Sequence, residues 1–500
     1  MTMLERMAGR SAARVGRALL RGGLGLSFAL MLAGCASLDP FGQPDDKAPT
    51  ALPSLPQPTV ETPASAEHKR LVAQFGGEYR APATEAYLNQ VLARLAAAED
   101  TPTQTYRVTI LNTPVVNAFA LPSGNLYITR GLLALANDTS EVAAVMAHEI
   151  AHVTARHASQ RAERERTEAL KSRVATAIQS KTRGDEVLAD GRLSLASFSR
   201  QQELEADLVG VKTIGRAGYD PYGASRFLAS LGRSTAMRAS LFGGKPREET
   251  PDIMSTHPST PERIARAIAT ARQFGAPGIG QTEREAWLRA IDGMDFGDDP
   301  AEGIVRGRRF VHPKLGFTFE APERFVLENS AKALLGLADG GAEALRLDSV
   351  ALPSATSLET YLTAGWIDGL RQSSIETRTV NGLPAALATA KSGDWSFRVA
   401  TIRFGTDAYR LIFATRNLTA AVDRRFVDAI DTFRRLQSEE ISRVKPLRIS
   451  IVTARFGDTI ASMAERMRLA DNQLENFLLL NGLEKSDSVT LGRQYKIVLE

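Results

Sequence analysis

Residues 146–157 read MAHEIAHVTARH and hold three of the chain's six histidines. Their spacing dictates the local fold. Positions four apart are slightly more than one helical turn from each other, so in a helix His148 and His152 project from one face, with Glu149 beside them. Val142, Val145, Met146, Ile150 and Val153 recur at helical intervals and supply an apolar stripe. Asp138 and Glu141 stand in capping-box spacing ahead of the stripe and predict where the helix begins. Two imidazoles stacked this way can grip one metal ion, but a catalytic zinc takes three protein ligands and keeps one position open. The pair alone does not distinguish a metal site from two packed histidines.

A second helical passage, FSRQQELEADLVGVKTIGRAGYDP, offers the missing ligand and is closed by Gly215 or Gly218 and then Pro221. Glu203 and Asp207 lie four apart and share a face. They are interleaved with Leu204, Leu208 and Val211. Carboxylates in such a helix are costly to bury without a partner, so a solvated acidic face is the weaker reading.

HEIAH matches the zincin pattern of two metal-binding histidines and a glutamate base. NAFALPSGNLYITRGLL, EVAAVMAHEIAHVTARH, SRQQELEADLVG and STHPSTPERI follow one another in the chain. In this order they resemble the HtpX/BepA-type zinc metallopeptidases, gluzincins that also include the CAAX prenyl proteases. The resemblance covers about residues 67–275. It implies one Zn2+ per chain, held by His148, His152 and Glu203, with Glu149 as the catalytic glutamate. In the family's ExEAD motif the first glutamate is the ligand, which selects Glu203 over Glu205. Asp207 is then an outer partner that holds a histidine ring nitrogen. Arg200 is the leading candidate for an oxyanion donor, followed by His257 and Tyr219. His257 precedes Pro258 and is presented from an extended loop. It either packs ahead of a helix or serves as a fourth zinc ligand that keeps the enzyme latent, and the matched motif favours the second. His157 sits five residues past His152, off its face, and reads as a structural neighbour. The segment around Gly124 to Ile128 resembles the family's edge strand, which suits pairing with an extended peptide.

The charge balance excludes a nucleic-acid partner. The formal net charge is +4. Arg6, Arg10, Arg14, Arg17 and Arg21 against Glu5 supply all of it within residues 1–34, so the remainder sums to about zero. Those residues read as a secretory signal, since GGLGLSFALMLAG is too short for a membrane span of roughly 20 residues. The ending LAGC resembles a bacterial lipobox, which makes Cys35, the only cysteine, the expected lipidation site. Ala36 and Ser37 lack the aspartate that retains many such lipoproteins at the inner membrane. The expected place is the periplasm, anchored by lipid to the inner leaflet of the outer membrane. Seven prolines between residues 36 and 66 predict an extended tether.

The expected fold class is a multidomain chain. Residues 1–34 are the signal peptide and 35–66 the lipidated cysteine and its linker. Residues 67–280 form a mainly α, zincin-like (gluzincin) metallopeptidase domain with a small β-sheet. A linker over 281–302 leads to an α+β domain over 303–440. That domain has no legible chemistry, and its strand-rich pattern resembles the Mog/PsbP-like fold. Residues 447–500 form a small βααβ domain in which GDT, LNGL and LGRQYKI resemble a LysM module, with peptidoglycan as candidate ligand. The resemblance implies an endopeptidase acting on misfolded or unassembled envelope proteins. The alternative is an envelope chaperone or assembly scaffold with latent protease activity. A murein hydrolase is disfavoured because the HxH pair of zinc murein endopeptidases is lacking.

Overall fold

The computed structural model describes residues 63–99, 105–164, 166–167, 198–242, 253–258 and 260–500. The expected signal segment and Cys35 lie outside the described residues. Two compact units divide the chain, Met1–His68 and Lys69–Glu500. Helix α1 spans Pro63–Gln74, so the last of the seven prolines opens an element within the stretch read as tether. Proline fits a helix's first turn, where its missing N–H is not needed.

The larger unit begins as a helical region around a small sheet. Helix α2 (Pro82–Ala97), strands β1 (Arg107–Leu111), β2 (Ala118–Ala120) and β3 (Asn125–Thr129), and helices α3 (Arg130–Leu135) and α4 (Thr139–Thr154) follow in order. The strand order is β1-β3-β2. β1 runs parallel to β3 and β2 antiparallel to it. This corrects the edge-strand expectation: the segment from Gly124 to Ile128 contributes the middle strand, because β1 docks on its far side. The outer strand is β2. Thr129 N donates to Asn117 O and Leu121 N to Asn125 O, and antiparallel alternation then turns the backbone groups of Ala118 and Ala120 to the open side.

α4 is the central helix, buried at every residue from Thr139 to His152. Asp138 caps it by accepting from Glu141 N at 3.0 Å. The Glu141 carboxylate reaches one residue further back than a capping box does and accepts from Asn137 N at 2.8 Å. Helices α5 (Arg200–Arg216), α6 (Gly223–Phe242), the single turn α7 (Ile253–Thr256) and α8 (Pro261–Ala271) complete this region. No helix among the described residues is long and apolar enough to cross a membrane.

Residues 281–302, read as a linker, hold helix α9 (Arg284–Ile291), whose Trp287, Leu288 and Ile291 are fully buried. Trp287 Nε1 donates to Ala136 O at 2.9 Å, which pins this segment to the turn before α4.

Next come β4 (Asp295–Phe296), then β5 (Ile304–Arg306), β6 (Arg309–His312) and β7 (Phe317–Glu320). β8 (Val326–Asn329), β9 (Leu334–Ala338) and β10 (Glu343–Ala351) precede the short helix α10 (Leu358–Thr363). β11 (Glu376–Val380), β12 (Leu383–Ser392), β13 (Trp395–Phe404), β14 (Asp407–Thr415), helix α11 (Ala420–Ile430) and β15 (Arg434–Arg435) follow. Seven strands form an antiparallel sheet in the order β11-β12-β13-β14-β10-β9-β8, and β15-β7-β6-β5 form a second sheet. Phe310, Phe317, Phe319, Phe413 and Phe426 fill one core among these elements. A mainly helical region is thus joined to a large multi-sheet region.

The tail keeps a strand–helix–helix–strand order: β16 (Leu447–Thr453), α13 (Ile460–Glu465), α14 (Gln473–Asn481) and β17 (Gln494–Leu499), after the short helix α12 (Ser438–Arg443). It does not stand apart. β4 pairs with β16 as a third strand, and one hydrophobic core runs from Leu88 through α4 to Val498. Lys496 is fully buried, and its Nζ donates to Ala134 O at 2.7 Å and Ala136 O at 2.8 Å. It thereby caps the C-terminal carbonyls of α3, beside the start of α4. Burial lowers this ammonium to about 7, and burial also raises the Glu141 carboxyl.

Candidate metal centre

Three local devices bring the polar side chains together. α4 presents His148, Glu149 and His152 from within the core. α5 is set by a full capping box, with Gln202 N donating to Ser199 Oγ and Ser199 N to Gln202 Oε1. Gly210 then lets α5 approach α4 closely, since a Cβ there would lie 3.2 Å from His148 N. The third device is the turn α7. Ile253 N donates to Val116 O at 2.9 Å, and His257 N to Ile253 O, so the turn is tied to the segment leading into β2 and delivers His257.

The result is a convergence of donor atoms from His148, His152, Glu203 and His257, all within 4.8 Å of one another. His148 Nε2 lies 3.0 Å from His152 Nε2 and 3.3 Å from His257 Nδ1. Glu203 Oε1 lies 2.9 Å from His257 Nδ1 and 3.5 Å from His152 Nε2, and Glu203 Oε2 lies 3.6 Å from His148 Nε2. Ligand bonds of roughly 2.0–2.1 Å in a tetrahedron put neighbouring donors about 3.3 Å apart. The observed spacings scatter around that edge length. Facing imidazole nitrogens cannot all satisfy one another by hydrogen bonds, because a neutral ring has only one N–H.

Charge supports the same fit. Glu149, Glu203 and Asp207 are all buried, and the buried guanidinium among them is Arg263. Arg263 holds Asp207 through Nε and Nη2, both at 2.7 Å, and Glu203 Oε2 through Nη1 at 2.7 Å. Three carboxylates against one guanidinium leave two negative charges, which a divalent cation balances. His148 reports that excess. Burial disfavours its cation, but Asp207, 3.0 Å from its Nδ1, and Glu203 outweigh burial and raise the ring to about 9. Burial likewise opposes the Glu203 carboxylate, yet hydrogen bonds from His148 and His257 hold it far below its ordinary value. Burial raises Glu149, with His257 and His148 pulling the other way. Its Oε1 lies 3.6 Å from His257 Nε2 and has no hydrogen-bond partner among the described residues.

The outer contacts are specific. His157 Nδ1 lies 2.9 Å from His152 Nδ1, and Phe198 stacks on the His152 ring at 4.0 Å between centroids. A proton on His152 Nδ1, donated to His157, leaves the His152 Nε2 lone pair facing the cluster. Glu205 faces outward and lies 3.5 Å from His157 Nε2.

Arg200, read from the sequence as an oxyanion donor, is placed elsewhere. Its side chain is 78% exposed and paired with Glu262. As the first residue of α5 it points away from the cluster that the next turn of the same helix faces. Tyr219 is buried beneath Arg94, 4.1 Å from its ring centroid, and burial pushes its hydroxyl up to about 12. Sequence reasoning missed Arg263. Its signal was present: Thr260 and Pro261 cap α8, so Arg263 stands in the first helical turn. That end of the helix dipole disfavours a cation, and an arginine there needs acidic partners.

Residues 82–271 match the model of Peptidase family M48. A beta-barrel assembly-enhancing protease of Escherichia coli (strain K12) is 30% identical over 275 residues, covering 51% of this chain and 54% of its own length. The mitochondrial metalloendopeptidase OMA1 of Arabidopsis thaliana is 34% identical over 195 residues, 38% of this chain and 36% of that one. Its namesake in Schizosaccharomyces pombe is 28% identical over 191 residues, 37% and 52% of the two chains. The chain spans about half the length, or less, of these curated relatives. The solution structure of cyanobacterial PsbP from Synechocystis sp. PCC 6803 aligns with a TM-score of 0.21 at 14% identity, over 28% of this chain and 98% of that one, a likeness too slight to assign a fold. The four converging donor side chains, His148, His152, Glu203 and His257, all fall within the residues that match this peptidase family.

Proposed function

We propose that the chain is a zinc-dependent endopeptidase, with His148, His152 and Glu203 as metal ligands and Glu149 as general base. The observation that carries this reading is the convergence of the donors within 4.8 Å of one another, beside a buried carboxylate oxygen that lacks a partner among the described residues. Zinc suits two imidazoles and a carboxylate, and when bound it supplies Lewis acidity toward a peptide carbonyl and toward water. Glu149 takes a proton from the attacking water and later gives it to the leaving amine. A carboxyl raised by burial is better matched to both transfers at neutral pH than an ordinary glutamate. Asp207 and His157 hold the rings of His148 and His152, and Arg263 holds Asp207 and Glu203. Replacing Glu149 by Gln tests the reading directly: metal should be retained and casein hydrolysis lost.

A second reading has its own observation. His257 Nδ1 stands at the fourth donor position, where it competes for the site that substrate and water need. On this reading the protein is a latent protease, or an assembly scaffold whose proteolysis is secondary. An H257A chain with faster casein cleavage supports latency; one with unchanged or slower cleavage argues against it.

The proposed substrates are misfolded or unassembled cell-envelope proteins, supported by the likeness to the beta-barrel assembly-enhancing protease of Escherichia coli. We further propose a periplasmic address through lipid on Cys35. The tail over 447–500 is proposed as a LysM-like module that contacts peptidoglycan, supported by its strand–helix–helix–strand order and by turns at Gly457, Gly482 and Gly492, all with positive φ. Domains are proposed at 1–34, 35–66, 67–280, 303–440 and 447–500.

A further inference from the structure

β8 is an edge strand. It closes one side of the seven-stranded sheet, hydrogen-bonded to β9 on its inner flank and to no strand on its outer flank among the described residues, although β5 packs nearby and its Val305 also lines the crevice described next. Beyond their shared register, Ser330 N donates to Ala333 O. Alternation then directs the backbone N–H and C=O of Leu327 and Asn329 away from β9. Neither residue's backbone finds a partner among the described residues. The Asn329 side chain is engaged, donating to Glu302 O and Gly303 O at 2.9 Å each, which fixes the end of the strand.

That open edge faces the peptidase region across a crevice of about 280 Å³. One wall is Leu327, Glu328 and Asn329 of β8. The opposite wall is Val116 and the α6 residues Leu231 and Thr235. Arg238 of α6 pairs with Glu328 across it and bridges the two walls. The crevice adjoins the pocket of His148, Glu149 and His257, since Leu231 and Ile253 line both. It also lies against residues 114–116, the segment that leads into β2, whose own outer edge is open.

We propose that this crevice is a binding site for an extended segment of the polypeptide being cleaved, with β8 of the multi-sheet region pairing to its backbone. The inference rests on the endopeptidase reading above and deepens it, by assigning the region over 303–440 a part in substrate binding. The occupant follows from the walls. An unpaired strand edge recognises extended backbone, and Val116, Leu231, Ile253 and Leu327 offer apolar contacts to alternate side chains. Unfolded chains present such segments along their whole length, whereas folded proteins keep most of theirs paired or covered. A contact outside the pocket of the metal cluster favours long substrates over short ones.

The test uses the full chain with Glu149→Gln, loaded with zinc, and fluorescein-labelled casein as the unfolded polypeptide. Amide hydrogen exchange across 326–329 should slow at least fivefold or so when casein is bound, because pairing protects the outward N–H groups. Adding Ser234→Trp, which fills the crevice from α6, should weaken casein binding about tenfold in fluorescence anisotropy. Unchanged exchange at 326–329 with casein bound, or equal affinity for the Trp variant, overturns the proposal. The Trp variant is compared only at equal metal content and melting temperature, and should it misfold, the exchange measurement decides alone. Casein cut by the wild type without protection at β8 sinks this inference only. Protection at β8 with no cleavage by the wild type sinks the endopeptidase reading and leaves the crevice standing.

Discussion

Arg263 is the residue on which the cluster's electrostatics turn. It satisfies two carboxylates, one an expected ligand and the other the partner of His148. Replacing it with leucine leaves buried negative charge without compensation, which costs roughly 3–5 kcal/mol. Denaturant unfolding of R263L should show a loss of that order, together with weaker metal retention; an unchanged midpoint would mean that the charges are screened some other way. His312, on β6, is a second site where burial sets behaviour. Leu315 N donates to its Nδ1 at 3.3 Å, and burial, with Lys314 nearby, pushes the ring down to about 4. The unfolded chain takes up this proton near its ordinary value of about 6.5, the folded one only near 4. Stability is therefore full above about 6.5 and falls as pH drops toward 4. Metal-free wild type and H312L, compared across that window, should differ in slope, the variant's being flatter.

At the scale of elements, α4 is held from outside its own domain. Lys496 of β17 caps the end of α3 next to the turn that starts α4. Lys496→Met removes two hydrogen bonds to buried carbonyls, and urea unfolding should show a loss of about 1–3 kcal/mol. A change within a few tenths of a kcal/mol would show that water reaches those carbonyls. The sequence made α4 and α5 legible because their apolar stripes and caps agree with the spacing of the histidines and carboxylates. The convergence of His257 was legible only through motif order, since the separation of 109 residues from His148 carries no periodic signal. Strand β12 was not legible at all: LPAALATAKS is rich in alanine and begins with Leu-Pro, against β propensity. It is a strand because β11 and β13 flank it and Leu383, Ala385 and Leu387 pack into the phenylalanine-rich core. The helix after β10 is confined to Leu358–Thr363, because Gly365 adopts positive φ just beyond its end.

At the scale of the molecule, the tail and the metal centre share one core. The βααβ pattern and the stretches GDT, LNGL and LGRQYKI marked the tail as a separate piece, but they carry no information about which surfaces become buried. A chain ending at residue 446 should expose Trp287 and the start of α4, and lose both solubility and bound metal. An independently hung tail would leave the truncated chain folded and metal-loaded, as gel filtration and metal analysis would reveal. The central claim concerns chemistry at Glu149, and it is tested by casein hydrolysis with bound metal quantified for the wild type and for Glu149→Gln. The account predicts one zinc per chain in both proteins, and a fall in rate of about 10²–10⁴ or more in the variant. Metal bound equally with no hydrolysis by either protein, or hydrolysis undiminished in the variant, would contradict it.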